Sequence, residues 1–137
     1  MLFRSAVAVA AGNARRHKVD SRVRCEVVDR LDWAEAGEFD VLTANPPYVA
    51  VGAPVGQCVQ HEPSSALYAG ADGMDFIAPL VRDAPPRLAP GGALVLEFGY
   101  DQADRVRDLI VAGGAFAEPR ILRDHQGIER AAAAVRK

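Results

Sequence analysis

Cysteine is scarce in this chain, and neither sign of charge dominates it. Its two cysteines, Cys25 and Cys58, stand in unlike contexts with no metal-ligand spacing and no flanking histidine set. Reduced thiols of a cytoplasmic protein account for them, and no metal site is expected. Sixteen basic residues against 18 acidic ones leave a net charge of −2. That balance gives no electrostatic case for direct binding of nucleic acid. No apolar run approaches the roughly 18 residues needed to span a membrane. Repeats, low-complexity tails and linkers are missing too. What is there is ordinary: 137 residues, half of them hydrophobic and a quarter charged, enough for one domain with a core.

The order of elements can be read from periodicity. Residues 4–17 form an Ala-rich helix whose basic end, Arg15-Arg16-His17-Lys18, complements the helix dipole. That explains the apolar start better than a secretory leader, because the apolar stretch is short. Residues 22–28 alternate with β-branched side chains and read as a strand. Residues 29–38 read as a loop with room for one helical turn. Residues 39–44 read as a second strand, apolar enough to be buried on both faces. Residues 45–73 are long, irregular and rich in Gly and Pro, as functional loops often are.

A helix is predicted over residues 72–88, capped near Asp72, with Phe76, Ile77, Leu80 and Val81 inward. The turn Ala89-Pro90-Gly91-Gly92 then leads into a strand over 93–98. A helix over 101–112, with Val106, Leu109 and Ile110 inward, is stopped by Gly113-Gly114. Strands over 119–123 and 128–135 flank the hairpin turn Asp124-His125-Gln126-Gly127. The pattern predicts an α/β fold: an open, mostly parallel sheet with helices on both faces and a C-terminal antiparallel hairpin. Ligands of such sheets bind beyond the carboxyl ends of the strands, where Asp29 and Asn45 fall.

Asn45-Pro46-Pro47-Tyr48 is the most specific of these loops. Two prolines stiffen the backbone and remove its N–H donors, so the Pro46 carbonyl escapes regular pairing. Asn45 offers a carbonyl oxygen beside an NH2 group, and Tyr48 offers a flat wall with a hydroxyl tip. Such a set suits a planar amide or amino nitrogen.

With this motif and the strand–helix order behind it, the chain resembles the S-adenosylmethionine-dependent N5-glutamine methyltransferases that modify peptide chain release factors. The resemblance runs from about Ala6 to the end. It includes Asn13-Ala14, Asp29, Phe39-Asp40, Glu62-Pro63 with Ala66-Leu67, and Gly70-Ala71-Asp72-Gly73. It continues through Leu88-Ala89-Pro90-Gly91-Gly92, Leu96-Glu97-Phe98-Gly99 and Arg123-Asp124-His125-Gln126-Gly127, closing at Arg130. N-P-P-Y is shared with methyltransferases acting on amino groups of DNA and RNA. The E-P-x-x-A-L and R-D-x-x-G-x-x-R patterns point to the glutamine branch.

The resemblance implies a Rossmann-like class I methyltransferase fold and S-adenosyl-L-methionine as cofactor. Asn45 and Pro46 would be catalytic, accepting hydrogen bonds from the substrate NH2. Asn45, Pro46, Pro47 and Tyr48 would bind the substrate, and Asp29, Arg30 and Asn45 the cofactor. Arg30 departs from the apolar or aromatic residue common in the family, although a guanidinium can also stack on adenine. A release factor is the implied partner, with the enzyme a cytoplasmic monomer that neither binds nucleic acid directly nor enters a membrane.

The family's cofactor site opens with a strand and a glycine-rich loop that nothing here supplies; Gly12, the one glycine before residue 22, stands alone in a helix. Residues 1–137 therefore read as the C-terminal part of a methyltransferase catalytic domain lacking the first strands, and poor stability with weak or no cofactor binding is expected. Two alternatives stay open: an adenine N6-methyltransferase of nucleic acid, and a truncated, non-catalytic remnant. Glu97, a carboxylate inside an apolar strand, suits a hydrogen-bonding role near the site. Asp29 suits a turn cap as well as a cofactor contact. His17, His61 and His125 read as solvated or capping residues, and Tyr68 and Trp33 as packing residues.

Overall fold

The computed structural model describes residues 2–29, 31, 35–56 and 59–137. Arg30, Trp33 and Cys58 lie outside them, so the readings placed on those three residues have no structural counterpart here. The chain divides into two compact units, Met1–Trp33 and Ala34–Lys137.

The first unit is built on helix α1, Leu2–Arg16, close to the predicted span. Its end is a Schellman motif: Val19 N–H donates to the Ala14 carbonyl, and Lys18 N–H to the Arg15 carbonyl. Lys18 sits at the left-handed position with φ +56°, where glycine is usual. After it, residues 23–28 run without strand structure. The strand expected over 22–28 is therefore not formed. A strand exists only as part of a ladder, and this unit offers the segment no partner strand among the described residues. Its valines stay largely solvated, Val27 at 51% exposure.

The second unit holds strand β1 (Phe39–Ala44), helices α2 (Ser64–Leu67) and α3 (Ile77–Asp83), and strand β2 (Leu88–Glu97). Helix α4 (Ala103–Ala112) and strands β3 (Arg120–Arg123) and β4 (Glu129–Val135) follow. The sheet order is β1-β2-β4-β3. β1 and β2 are parallel, whereas β2–β4 and β3–β4 are antiparallel, so the described sheet is mixed. The closing hairpin turns at residues 124–127. There the Asp124 carboxylate accepts the N–H groups of Gln126 (2.8 Å) and Ile128 (3.0 Å).

Register pairs Leu94 with Ala134 and Leu96 with Ala132, four side chains that are at most 1% exposed. Alanine is a poor strand former, yet its small side chain on β4 lets α4 approach closely and bury Val106 and Ile110 completely. α3 packs in turn on α4, and its Ile77 and Val81 are buried. The alternate face, carrying Ala93, Val95, Ala131 and Ala133, is only half-buried.

β1 lies at the sheet edge, and Val41 is 55% exposed. Burial on both faces is thus corrected to partial burial, because β1 has a partner strand on one side alone among the described residues. The helix predicted over 72–88 shrinks to α3 plus a 3-10 turn, Pro85–Arg87, since the Pro85-Pro86 pair cannot continue an α-helix. Phe76, expected inward, precedes α3 and is exposed. Residues 89–92 bulge out of β2, so that Phe39 pairs with Leu88 while Val41 pairs with Ala93.

Candidate active site

Asn45 follows the last residue of β1, and Glu97 ends its parallel neighbour β2. Both therefore stand at the carboxyl edge of the sheet, where strand pairing stops and backbone and side chains become available to a ligand. Asn45 is exposed there and Glu97 half-buried. With Thr43, Val95 and Ala131 they line a cavity of about 280 Å³. A second cavity, of about 530 Å³, is lined by Asn45, Pro46, Pro47 and Tyr48 together with Glu62 and Leu67.

The loop after Asn45 is held from several directions. Val49 N–H donates to the Leu67 carbonyl, Ala69 N–H to the Val49 carbonyl, and Val51 N–H to the Gly70 carbonyl, at 2.8–2.9 Å. These bonds form a short parallel bridge between Val49 and Tyr68. The residues around Ala66-Leu67 are therefore what the N-P-P-Y loop folds back upon. Beneath the loop, the Gln102 side chain donates to the Tyr48 carbonyl at 3.0 Å and to the Gly73 carbonyl at 3.4 Å, while accepting the Gly99 N–H at 2.8 Å.

Gly73 has φ +78°, and a Cβ there would strike the Tyr48 carbonyl oxygen and the Gln102 amide. Only glycine suits both demands. The turn before it is tied by Asp72, which accepts the Met74 N–H at 3.1 Å and pairs with Arg105. Those bonds, the Met74 one first, hold the Asp72 carboxyl below its usual range.

At the tip of the loop, the Tyr48 hydroxyl donates to Glu97 Oε1 at 3.3 Å. Burial first, and then the adjoining Glu97 carboxylate, push the Tyr48 phenol above its ordinary value. It is a neutral donor at any physiological pH. Arg130 reaches the same neighbourhood: it lines a cavity of about 180 Å³ with Tyr48, Asp101 and Gln102, and its Nε bonds Asp124 at 3.3 Å. Asp124 is held below the usual carboxylate range, by Ile128 N–H first, then by Gln126 and Arg130. The R-D-x-x-G-x-x-R pattern thus builds the hairpin turn and brings its last arginine beside the N-P-P-Y loop.

Of the residues singled out in the sequence, the structure brings Asn45, Pro46, Pro47 and Tyr48 into one rigid loop at a strand end. Asp29 is different. It sits exposed in the first unit, after a segment that forms no strand, so the strand-end position expected for it is not realised. His17, His61 and His125 are exposed. Gln102 was missed, although a signal was present: it occupies the position four residues before Val106 and eight before Ile110, on the apolar stripe of α4.

What this set offers is hydrogen-bond acceptors beside apolar walls. Carbonyl oxygens at Asn45 and Pro46 can receive an NH2 group, with Tyr48 and two prolines as walls. The fit to an adenosyl group is poor. The about 280 Å³ cavity by Asn45 and Glu97 has no aromatic face and falls at the small end for a cofactor site. Among those residues, no helix is long and apolar enough to cross a membrane.

No protein-family model matches the chain. Curated relatives do. A release factor glutamine methyltransferase of Moorella thermoacetica is 38% identical over 135 residues, 97% of this chain and 48% of its own length. One from Bordetella pertussis is 41% identical, over 94% of this chain and 48% of its own length. The chain thus spans about half the length of the curated relatives it matches. Among solved structures, a methyltransferase from Pyrococcus furiosus superposes with a TM-score of 0.60 at 17% identity. That match takes in 98% of this chain and 58% of the other, and it shows a shared fold.

Proposed function

The chain belongs to the release factor glutamine methyltransferase family, and from that premise we propose that its acceptor site serves N5-methylation of a glutamine side chain in a protein. The substrate is the Gly-Gly-Gln loop of a peptide chain release factor, and the compartment is the cytoplasm. The observation that carries this reading is the geometry at the end of β1: Asn45 at the strand end, followed by a proline-stiffened loop bonded to residues 67–70 and to Gln102.

A carboxamide nitrogen is a weak nucleophile because its lone pair is delocalised into the carbonyl. Asn45 Oδ1 and the Pro46 carbonyl accept its two N–H bonds, turn its lone pair outward, and favour the positive charge that grows on nitrogen during attack. Tyr48 packs on the aliphatic part of the glutamine, its hydroxyl fixed by Glu97. S-adenosyl-L-methionine, when bound, supplies the electrophilic methyl group. This role needs no titrating catalytic base, because the proton lost from the methylated nitrogen is acidic enough to pass to water.

Binding tests this reading on the 137-residue chain itself. A release factor with an intact Gly-Gly-Gln loop is expected to bind at least tenfold more tightly than its loop glutamine→alanine variant, the worth of two hydrogen bonds and a packed side chain. Preference for duplex DNA over the release factor would overturn the choice of substrate class. Calorimetry with S-adenosyl-L-methionine alone is expected to show no micromolar binding, because the cavity by Asn45 and Glu97 is small and has no aromatic face; such binding would contradict that reading of the cavity.

A further inference from the structure

The acceptor loop carries no regular helix or strand, so its shape is set by whatever its backbone groups bond to. Gln102, 4% exposed, is the one buried polar residue among the described residues. It occupies the N-cap position of α4, where a short polar side chain would ordinarily accept a helix N–H. Its side chain makes no such bond. Instead it reaches three separate segments: Gly99 after β2, Tyr48 in the acceptor loop and Gly73 before α3. A neutral primary amide is the group that presents an acceptor and two donors in one plane, with no charge to bury.

We propose that Gln102 is a positioning residue of the acceptor site: by holding the Tyr48 carbonyl it sets the path of Pro46-Pro47-Tyr48, and with it the direction of the Pro46 carbonyl. The proposal rests on the glutamine-acceptor reading, and Gln102 itself touches no substrate. Gly73 supports it from the opposite side, because any Cβ there would push apart the same two partners. The Tyr48–Glu97 contact lies downstream of the same backbone, so a released loop would also alter the setting of the Tyr48 phenol.

Two variants and two readouts test it. Gln102→Met keeps the shape and removes all three bonds. Gln102→Glu keeps the acceptor for Gly99 but sets an oxygen against the carbonyls of Tyr48 and Gly73. The first readout is the Tyr48 phenol titration, followed by NMR of labelled tyrosine; the second is the affinity for a Gly-Gly-Gln peptide. In Gln102→Met the phenol is expected to titrate at lower pH than in the parent chain, and affinity to fall about tenfold.

Gln102→Glu is expected to lose affinity as pH rises and to regain it as pH falls, because a protonated carboxyl donates to Tyr48 again. A residue that only supports the fold would lower thermal stability and leave the phenol titration and the affinity ratio unchanged; that result would overturn the proposal. Should Gln102→Met not fold, the pH-dependent recovery of Gln102→Glu decides alone, and its absence counts against the proposal. The tyrosine readout is independent of substrate. A parent chain that ignores the peptide while its variants shift Tyr48 would therefore refute the glutamine reading and leave the positioning role standing.

Discussion

Residues 22–28 and residues 39–44 look alike in sequence, short and rich in β-branched or apolar side chains, yet only the second pair of ends frames a strand. β1 has β2 beside it, in parallel register from Val41 to Ala44. Residues 23–28 have no partner strand within their unit among the described residues. The lesson is that β-propensity describes fitness for a pleated surface and does not create one. The placement of the residues that follow these segments shows the same division. Asn45 directly follows a paired strand, whereas Asp29 follows a segment that forms none.

The largest effects should separate the two segments by stability. Leu96→Ala, which empties a fully buried site opposite Ala132, is expected to cost about 4 kcal/mol in urea unfolding, with Val27→Ala within about 0.5 kcal/mol of the parent. A comparable loss from Val27→Ala would mean that residues 23–28 are packed in a way the exposure of Val27 denies.

Gly73→Ala comes next. Left-handed backbone and a collision with the Tyr48 carbonyl and Gln102 predict a loss of about 2–3 kcal/mol, together with loss of the acceptor-loop geometry. Unchanged stability would show that the loop accommodates a Cβ freely.

Smaller, and graded with pH, is the contribution of Asp72 and Asp124. Both carboxyls are lowered in the folded chain, so their stabilisation is present above the ordinary carboxylate range and is lost as pH falls through their folded values. Unfolding midpoints should therefore drop below about pH 4. An Asp124→Asn variant should show a shallower drop. The raised Tyr48 phenol acts in the other direction: its contribution is complete below its ordinary value near 10 and is lost as pH rises through the folded one.

Much of this arrangement was legible beforehand. α1, α4 and the hairpin follow from helical spacing, from Gly113-Gly114 and from the Asp124-to-Gly127 turn, all local signals. The loop at the end of β1 was legible as a loop because two adjacent prolines after an asparagine leave few conformations. What escaped was non-local. Edge exposure of β1 depends on which strands lie beside it, and no residue in 39–44 states that. The reach of Gln102 to Tyr48 spans 54 positions and to Gly73 29 positions. Its only local trace is a polar residue on an apolar helical stripe.

The most direct measurement is NMR titration of the labelled 137-residue chain with a short Gly-Gly-Gln peptide, with a Gly-Gly-Asn peptide as the control. The expected result is a saturable shift of the Asn45 side-chain NH2 and of the Tyr48 ring, with residues 23–29 unmoved and the asparagine peptide at least tenfold weaker. Equal response to both peptides, or shifts confined to residues away from Asn45 and Tyr48, would contradict the assignment of this loop as a glutamine acceptor.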